Sequence, residues 1–204
     1  MTSRDAWVYG YSKEKVAQNT ERLVQNYNKE LKRLKNIPVN ERKDLLNRKS
    51  DYINWSRKLE RFALNDIELE YHQNHLKLSL YRPFTKKWVY HDKTLNEEAR
   101  LYYNKFGQNN LVINTTGRGA TRDFSPLVVD CIPSNDFMEK GQGFMRYDNE
   151  VDETLLFQNN DNINQSFADK LGLSLDDTFA YVYGLLNSKE YQEKYANDLK
   201  KDLA

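Results

Sequence analysis

The sequence predicts an α+β fold: a mixed or antiparallel central sheet with a long N-terminal helix and a C-terminal helical cluster. Three observations predict it. Apolar residues recur at helical spacing over residues 12–36. They alternate, or run continuously, in short stretches between residues 67 and 147. Helix-capping serines return after residue 173. The 204 residues suffice for one large domain or two small ones. The pattern divides into a helical segment 1–65, a β-rich core 66–150 and a helical segment 151–204, expected to form one compact domain.

Taken in order, Trp7, Tyr9 and Tyr11 alternate and read as a short strand or extended arm. Ser12 is a good N-cap for the helix that follows. Val16, Leu23, Val24, Tyr27, Leu31 and Leu34 mark its buried stripe, and the helix is expected to run to about Asn36, before Pro38. Residues 40–65 read as helical or irregular, with Trp55 as an anchor. Ile67, Leu69 and Tyr71 predict one strand, and Leu76, Leu78 and Leu80 another. Pro83 places a turn at Arg82–Thr85, and Trp88-Val89-Tyr90 resumes extended chain, making a hairpin.

Residues 110–113, 126–132 and 144–147 are buried-strand candidates. Between the first two lies a loop in which Gly117 and Gly119 bracket Arg118. Residues 148–162 are polar and acidic and read as a loop. Residues 163–171 suit a short helix. Ser174 with Asp177 forms a capping-box variant opening the next one. Gly184 inside that helix costs about 1 kcal/mol relative to Ala, which predicts close packing there. Ser188 caps a last helix through Tyr191, Tyr195 and Leu199.

Charge is polarised. Residues 1–50 hold 12 Lys/Arg against 6 Asp/Glu, whereas residues 151–204 hold 5 against 10, so the front suits an anionic partner and the back does not. Two solvated helical faces of opposite sign would look the same. Aromatic content of 13% argues against disorder despite 30% charged residues. No apolar run has the length of a membrane span, residues 1–15 lack the apolar centre of a secretion signal, and the single Cys131 cannot form an internal disulfide. A cytoplasmic protein is the expectation.

Catalytic signatures are missing. There is no phosphate-binding glycine loop ending in Lys-Ser/Thr, no GxGxxG and no GxSxG. His72 and His75 have a spacing that suits a metal only on a helical turn, and the local pattern reads as extended. Cys131 reads as a small core residue rather than a nucleophile. Binding is the better reading. Arg118 and Arg122 lie on the glycine-bounded loop, where arginine clamps phosphate or reads guanine bidentately. Arg82, Lys86 and Lys87 surround the hairpin turn and suit phosphate. Gln108, Asn109, Asn110 and Asn114 are candidates for adenine edges, although asparagine is equally common in turns.

Four segments occur in a recognisable order: SRDAWVYGYSKEKV, LYRPFTKKWVYHD, LVINTTGRGATRDFSPLVVDCIP and YVYGLLNSKEYQEKYANDLKKDL. Together they resemble the C-terminal specificity region of type ISP restriction–modification enzymes, over nearly the whole chain. The resemblance implies a target recognition domain without catalysis of its own, binding double-stranded DNA. It implies a parent polypeptide with a nuclease, a helicase-like ATPase and an adenine-N6 methyltransferase upstream. S-adenosylmethionine, ATP and Mg would belong to that parent, and no cofactor to this chain. Family members continue past the final DLKK-x-L, so a fragment of a longer protein is expected. The resemblance does not assign Arg118, Arg122, Arg82, Lys86 or Lys87; local chemistry does. The alternative is a structural module docked on the methyltransferase through its acidic C-terminal helices.

Overall fold

The computed structural model describes residues 4–96, 106, 109–134, 137–148 and 160–201. The fold is α+β, as expected, and divides into two compact units. One comprises residues 1–78 and 87–100, the other residues 79–86 and 101–204. The units follow contacts through space rather than consecutive stretches of sequence, so the hairpin contributes its base to the first and its tip to the second. Among the described residues no helix is long and apolar enough to cross a membrane.

The first unit is organised by helix α2, Lys13–Leu34. It starts where Ser12 predicts: the Ser12 hydroxyl oxygen accepts the Lys15 N–H at 3.1 Å. All six apolar residues of the predicted stripe are buried. Full burial of such side chains stabilises by about 1.5–3 kcal/mol each. Val16, Leu23, Val24, Tyr27 and Leu31 pack with Trp7, Val8, Ile53, Leu59, Leu76 and Tyr90. Helices α1 (Asp5–Val8), α3 (Val39–Leu45) and α4 (Arg57–Leu64) complete the unit with strand β1, Tyr9–Gly10. The alternating Trp7 and Tyr9 therefore do not share a strand: Trp7 is helical, and only Tyr9–Gly10 pairs, antiparallel to Val89 and Trp88. Tucking the Trp7 ring into the core, with its indole N–H donated to the Ser50 carbonyl at 3.2 Å, wins over extended chain.

A second expected strand is absent. Residues 67–72 carry no ladder, and side chains of α2 hold the backbone of Ile67 and Leu69 instead. Asn28 donates to the Leu69 carbonyl at 2.8 Å and accepts the Leu69 N–H at 3.1 Å, while the Tyr27 hydroxyl donates to the Ile67 carbonyl. The chain is pinned by side chains rather than a neighbouring strand. Gln73–His75 is a 3-10 turn, not the extended chain predicted around His72 and His75. His75 faces Asp92 at 3.4 Å, and no group of three potential metal ligands occurs among the described residues.

The hairpin is as predicted: β2, Leu76–Arg82, and β3, Thr85–Tyr90, joined by Pro83-Phe84. In the second unit, β2 pairs in parallel with β6, Ile132–Pro133, through Ser79↔Ile132 and Leu80↔Pro133. A separate antiparallel sheet has the order β5–β4–β7, from Pro126–Val129, Val112–Thr115 and Gln142–Met145. The apolar run 126–132 is thus two strands in two sheets, broken at Asp130-Cys131, where the solvent-exposed Asp130 pairs with Lys86.

Strand β4 is buried along its length because both faces are covered. Val112 packs with Leu80, Val129 and Met145, and Ile113 packs with Phe179 and Leu186. Those last two lie on α6, Leu175–Asn187, whose N-cap Ser174 accepts the Asp177 N–H at 3.0 Å. Helices α5 (Gln165–Leu171), α7 (Lys189–Lys194) and α8 (Ala196–Leu199) complete the C-terminal cluster. Gly184 does not mark close packing: a Cβ there would meet nothing within 4 Å. Buried Arg146 ties the cluster to β7, pairing with Asp161 and, at 2.9 Å, with Asp176. Of the expected polar loop 148–162, residues 149–159 lie outside the described residues.

Candidate nucleic-acid interface

The loop 116–125 leaves the central strand β4 and returns as β5, with Thr115 opposite Pro126 at its neck. The neck is closed by two bonds: Thr116 N–H to the Ser125 carbonyl at 3.2 Å, and Ser125 N–H to the Thr116 hydroxyl at 3.1 Å. Its tip is held from three directions. Gly117 N–H donates to the Glu139 carbonyl at 3.0 Å, Gly119 N–H to the Lys200 carbonyl at 3.3 Å, and the Lys140 ammonium to the Gly119 carbonyl at 2.6 Å.

Glu139 grips the far side. Its carboxylate accepts the N–H of Thr121 at 3.0 Å, the N–H of Arg122 at 3.1 Å and the Thr121 hydroxyl at 3.0 Å. These backbone donors hold the Glu139 carboxyl below its ordinary value of 4.5, so the grip is charged at neutral pH. Both glycines are required. A Cβ on Gly117 would lie 1.6 Å from the Lys140 carbonyl oxygen, and Gly119 has φ +70°.

From this clamped loop Arg118 and Arg122 project exposed. Among the described residues, no side chain hydrogen-bonds the Arg118 guanidinium. The loop backbone is ordered in advance, so a ligand reaching the two arginines need not fund that ordering. The sequence reading located this loop but missed Glu139 and Lys140, which act from about 20 residues away with no local signal.

The hairpin residues differ from one another. The Arg82 guanidinium sits 4.6 Å from the Tyr81 ring centre and donates to the Tyr81 carbonyl at 2.9 Å. Lys86 binds both Asp130 oxygens at 2.7 and 2.9 Å, and that hydrogen bond raises the Lys86 pKa and lowers that of Asp130. Its charge is partly compensated within the chain. Lys87 stands 5.1 Å from the Tyr11 ring centre, in the first unit. Arg82, Lys86, Arg118 and Arg122 all belong to the second.

Phe84 occupies the turn itself. It is 92% exposed with φ +63°. A left-handed conformation costs a non-glycine residue about 1–2 kcal/mol.

Two of the asparagines are buried in the fold. Asn110 is buried and bonds both backbone groups of Tyr147, at 2.8 and 3.0 Å, and Asn114 is buried within β4. Asn109 occupies a turn at φ +60°, and Gln108 lies outside the described residues. Cys131 is a core residue whose thiol is pushed up to about 11 by burial, which suppresses the nucleophilic thiolate.

The model of the type ISP C-terminal specificity domain matches residues 1–204. The chain belongs to that family. Its role is specificity, not catalysis, and this chain is accordingly a non-enzymatic specificity domain. Among solved structures, a nuclease-deletion mutant of the Type ISP restriction–modification enzyme LlaGI, in complex with a DNA substrate mimic, is 34% identical with a TM-score of 0.84; the match covers 100% of this chain and 19% of that one. A DrdV–DNA complex is 27% identical at TM-score 0.84, covering 100% and 20%. The ATP-dependent Type ISP enzyme LlaBIII bound to DNA is 28% identical at TM-score 0.82, covering 99% and 14%. The specificity domain thus spans a fifth or less of the length of these enzymes. No curated protein matches the chain.

Proposed function

We propose that this chain is the DNA target recognition domain of a larger restriction–modification enzyme, and that it reads duplex DNA through the clamped loop 116–125. The observation that carries the reading is the family match over all 204 residues, to a domain whose solved relatives are complexes with DNA. In this reading Arg118 and Arg122 contact bases or phosphate, and Arg82 and Lys87 contact phosphate. Lys86 contributes after exchanging Asp130 for a phosphate oxygen. An adjacent adenine methyltransferase using S-adenosylmethionine, and an ATPase and nuclease needing ATP and Mg, would reside in the remainder of the parent enzyme.

The test is duplex binding by the full chain as a function of salt. Each phosphate neutralised contributes about −0.9 to the slope of log K against log salt, so the proposed contacts predict a slope of roughly −3 to −5. A slope near zero, or no binding at low salt, overturns the proposal. Retained association with a methyltransferase domain in that case favours the docking module instead.

A further inference from the structure

We infer that Phe84, at the tip of the β2–β3 hairpin, is a stacking wedge that inserts its ring against the bases of duplex DNA. The inference rests on the DNA-recognition reading and adds to it a contact of a different chemical kind. Four described non-glycine residues have positive φ: Asp66, Phe84, Asn109 and Lys140. Asp and Asn tolerate that conformation, and Lys140 returns a hydrogen bond to Gly119. Phe84 is the bulky exception, and its ring is 92% exposed. Glycine or asparagine would satisfy the turn without strain. A strained, solvent-facing aromatic contributes nothing to a core, so its placement needs another benefit.

The support beneath the tip is firm. Ser134 donates its N–H to the Leu80 carbonyl at 3.0 Å and its hydroxyl to the Tyr81 carbonyl at 2.8 Å. Lys86 is tethered to Asp130. Pro83 precedes Phe84 and restricts the turn. A ring on a rigid two-residue turn is presented with little conformational freedom left to lose.

The partner follows from charge. Residues 76–90 contain Lys77, Arg82, Lys86 and Lys87 and no Asp or Glu. A cationic hairpin with an apolar tip suits a polyanion with stackable interior faces, which is a nucleic-acid duplex. Apolar wedges entering a base step between cationic phosphate contacts are an established mode of protein–DNA contact.

The experiment compares wild type, Phe84→Ala, Phe84→Gly and Phe84→Trp in the full chain, binding a duplex selected by the wild-type chain from a random pool. Phe84→Ala and Phe84→Gly should each lose roughly 5- to 150-fold in affinity, the range of base–aromatic stacking. Phe84→Gly, suited to φ +63°, should melt at or above wild type. Phe84→Trp should bind and show indole quenching on duplex addition, beyond the wild-type baseline. Unchanged affinity of the Ala and Gly variants beside normal wild-type binding overturns the wedge and leaves DNA recognition standing. Binding losses that merely track a lowered melting temperature overturn it in favour of a structural role. No duplex binding by wild type removes both.

Discussion

Gly117→Ala tests whether the loop must be held where it is. The added Cβ would lie 1.6 Å from the Lys140 carbonyl oxygen, which must retreat about 1.8 Å to reach ordinary contact at 3.4 Å. That oxygen belongs to the segment carrying Glu139, the acceptor for Gly117, Thr121 and Arg122, and Lys140, the donor to Gly119. One methyl group therefore displaces most of the tip's ties together. Overpacking of this kind costs about 1–3 kcal/mol. For a chain of this length that corresponds to a fall in melting temperature of roughly 2–12 °C, at about 2–4 °C per kcal/mol. Hydrogen exchange should quicken at residues 117–122 while β4 and β5 stay protected. Duplex affinity should fall as Arg118 and Arg122 lose their fixed position. A variant that melts, exchanges and binds as wild type does would refute the argument that the clamp orders the loop.

Arg118→Ala should weaken binding to the cognate duplex by roughly tenfold to hundredfold, the value of a bidentate base contact, and binding to random duplex far less; equal loss on both makes it a phosphate contact. Ser12→Ala removes the cap of α2 and should destabilise by about 1 kcal/mol in thermal or denaturant unfolding. Because the Glu139 carboxyl is held below its ordinary 4.5 in the folded loop, the ordering it supplies is fully present above that value and is lost as pH falls through the depressed pKa; exchange protection of the loop, relative to the intrinsic rate at each pH, should hold from neutral pH down to 4.5 and fall below it, and should be low throughout in Glu139→Gln. Burial pulls His91 down to about 4, so the folded first unit holds it neutral; stability should decline as pH falls from about 6.5 towards 4, and His91→Gln should blunt that decline in denaturant titrations.

How much of this was legible in the sequence depended on the range of the causes. Helix α2 was readable to within two residues because its stripe repeats over many turns and Ser12 starts it. The hairpin was readable from Pro83 and the flanking alternation. The expected strand at residues 67–71 failed because alternation reports extended chain, not the partner of its backbone, and here that partner is the side chain of Asn28. The run from Pro126 to Ile132 concealed a change of sheet because both of its ends are buried and apolar, and only Asp130 between them signals the break. The loop's position was legible from Gly117 and Gly119, but the clamp was not, since Glu139 and Lys140 reach it through the fold. Charge alone could not rank the five cations: Lys86 looked as available as Arg118 until Asp130 was placed beside it.

The most direct test of the central claim is selection of bound duplexes from a random pool by the wild-type chain and by Arg118→Ala. Recognition through the clamped loop predicts one enriched sequence for wild type, and relaxed preference at one position of it for the variant. No enriched sequence for wild type, or an identical preference in both, would contradict it.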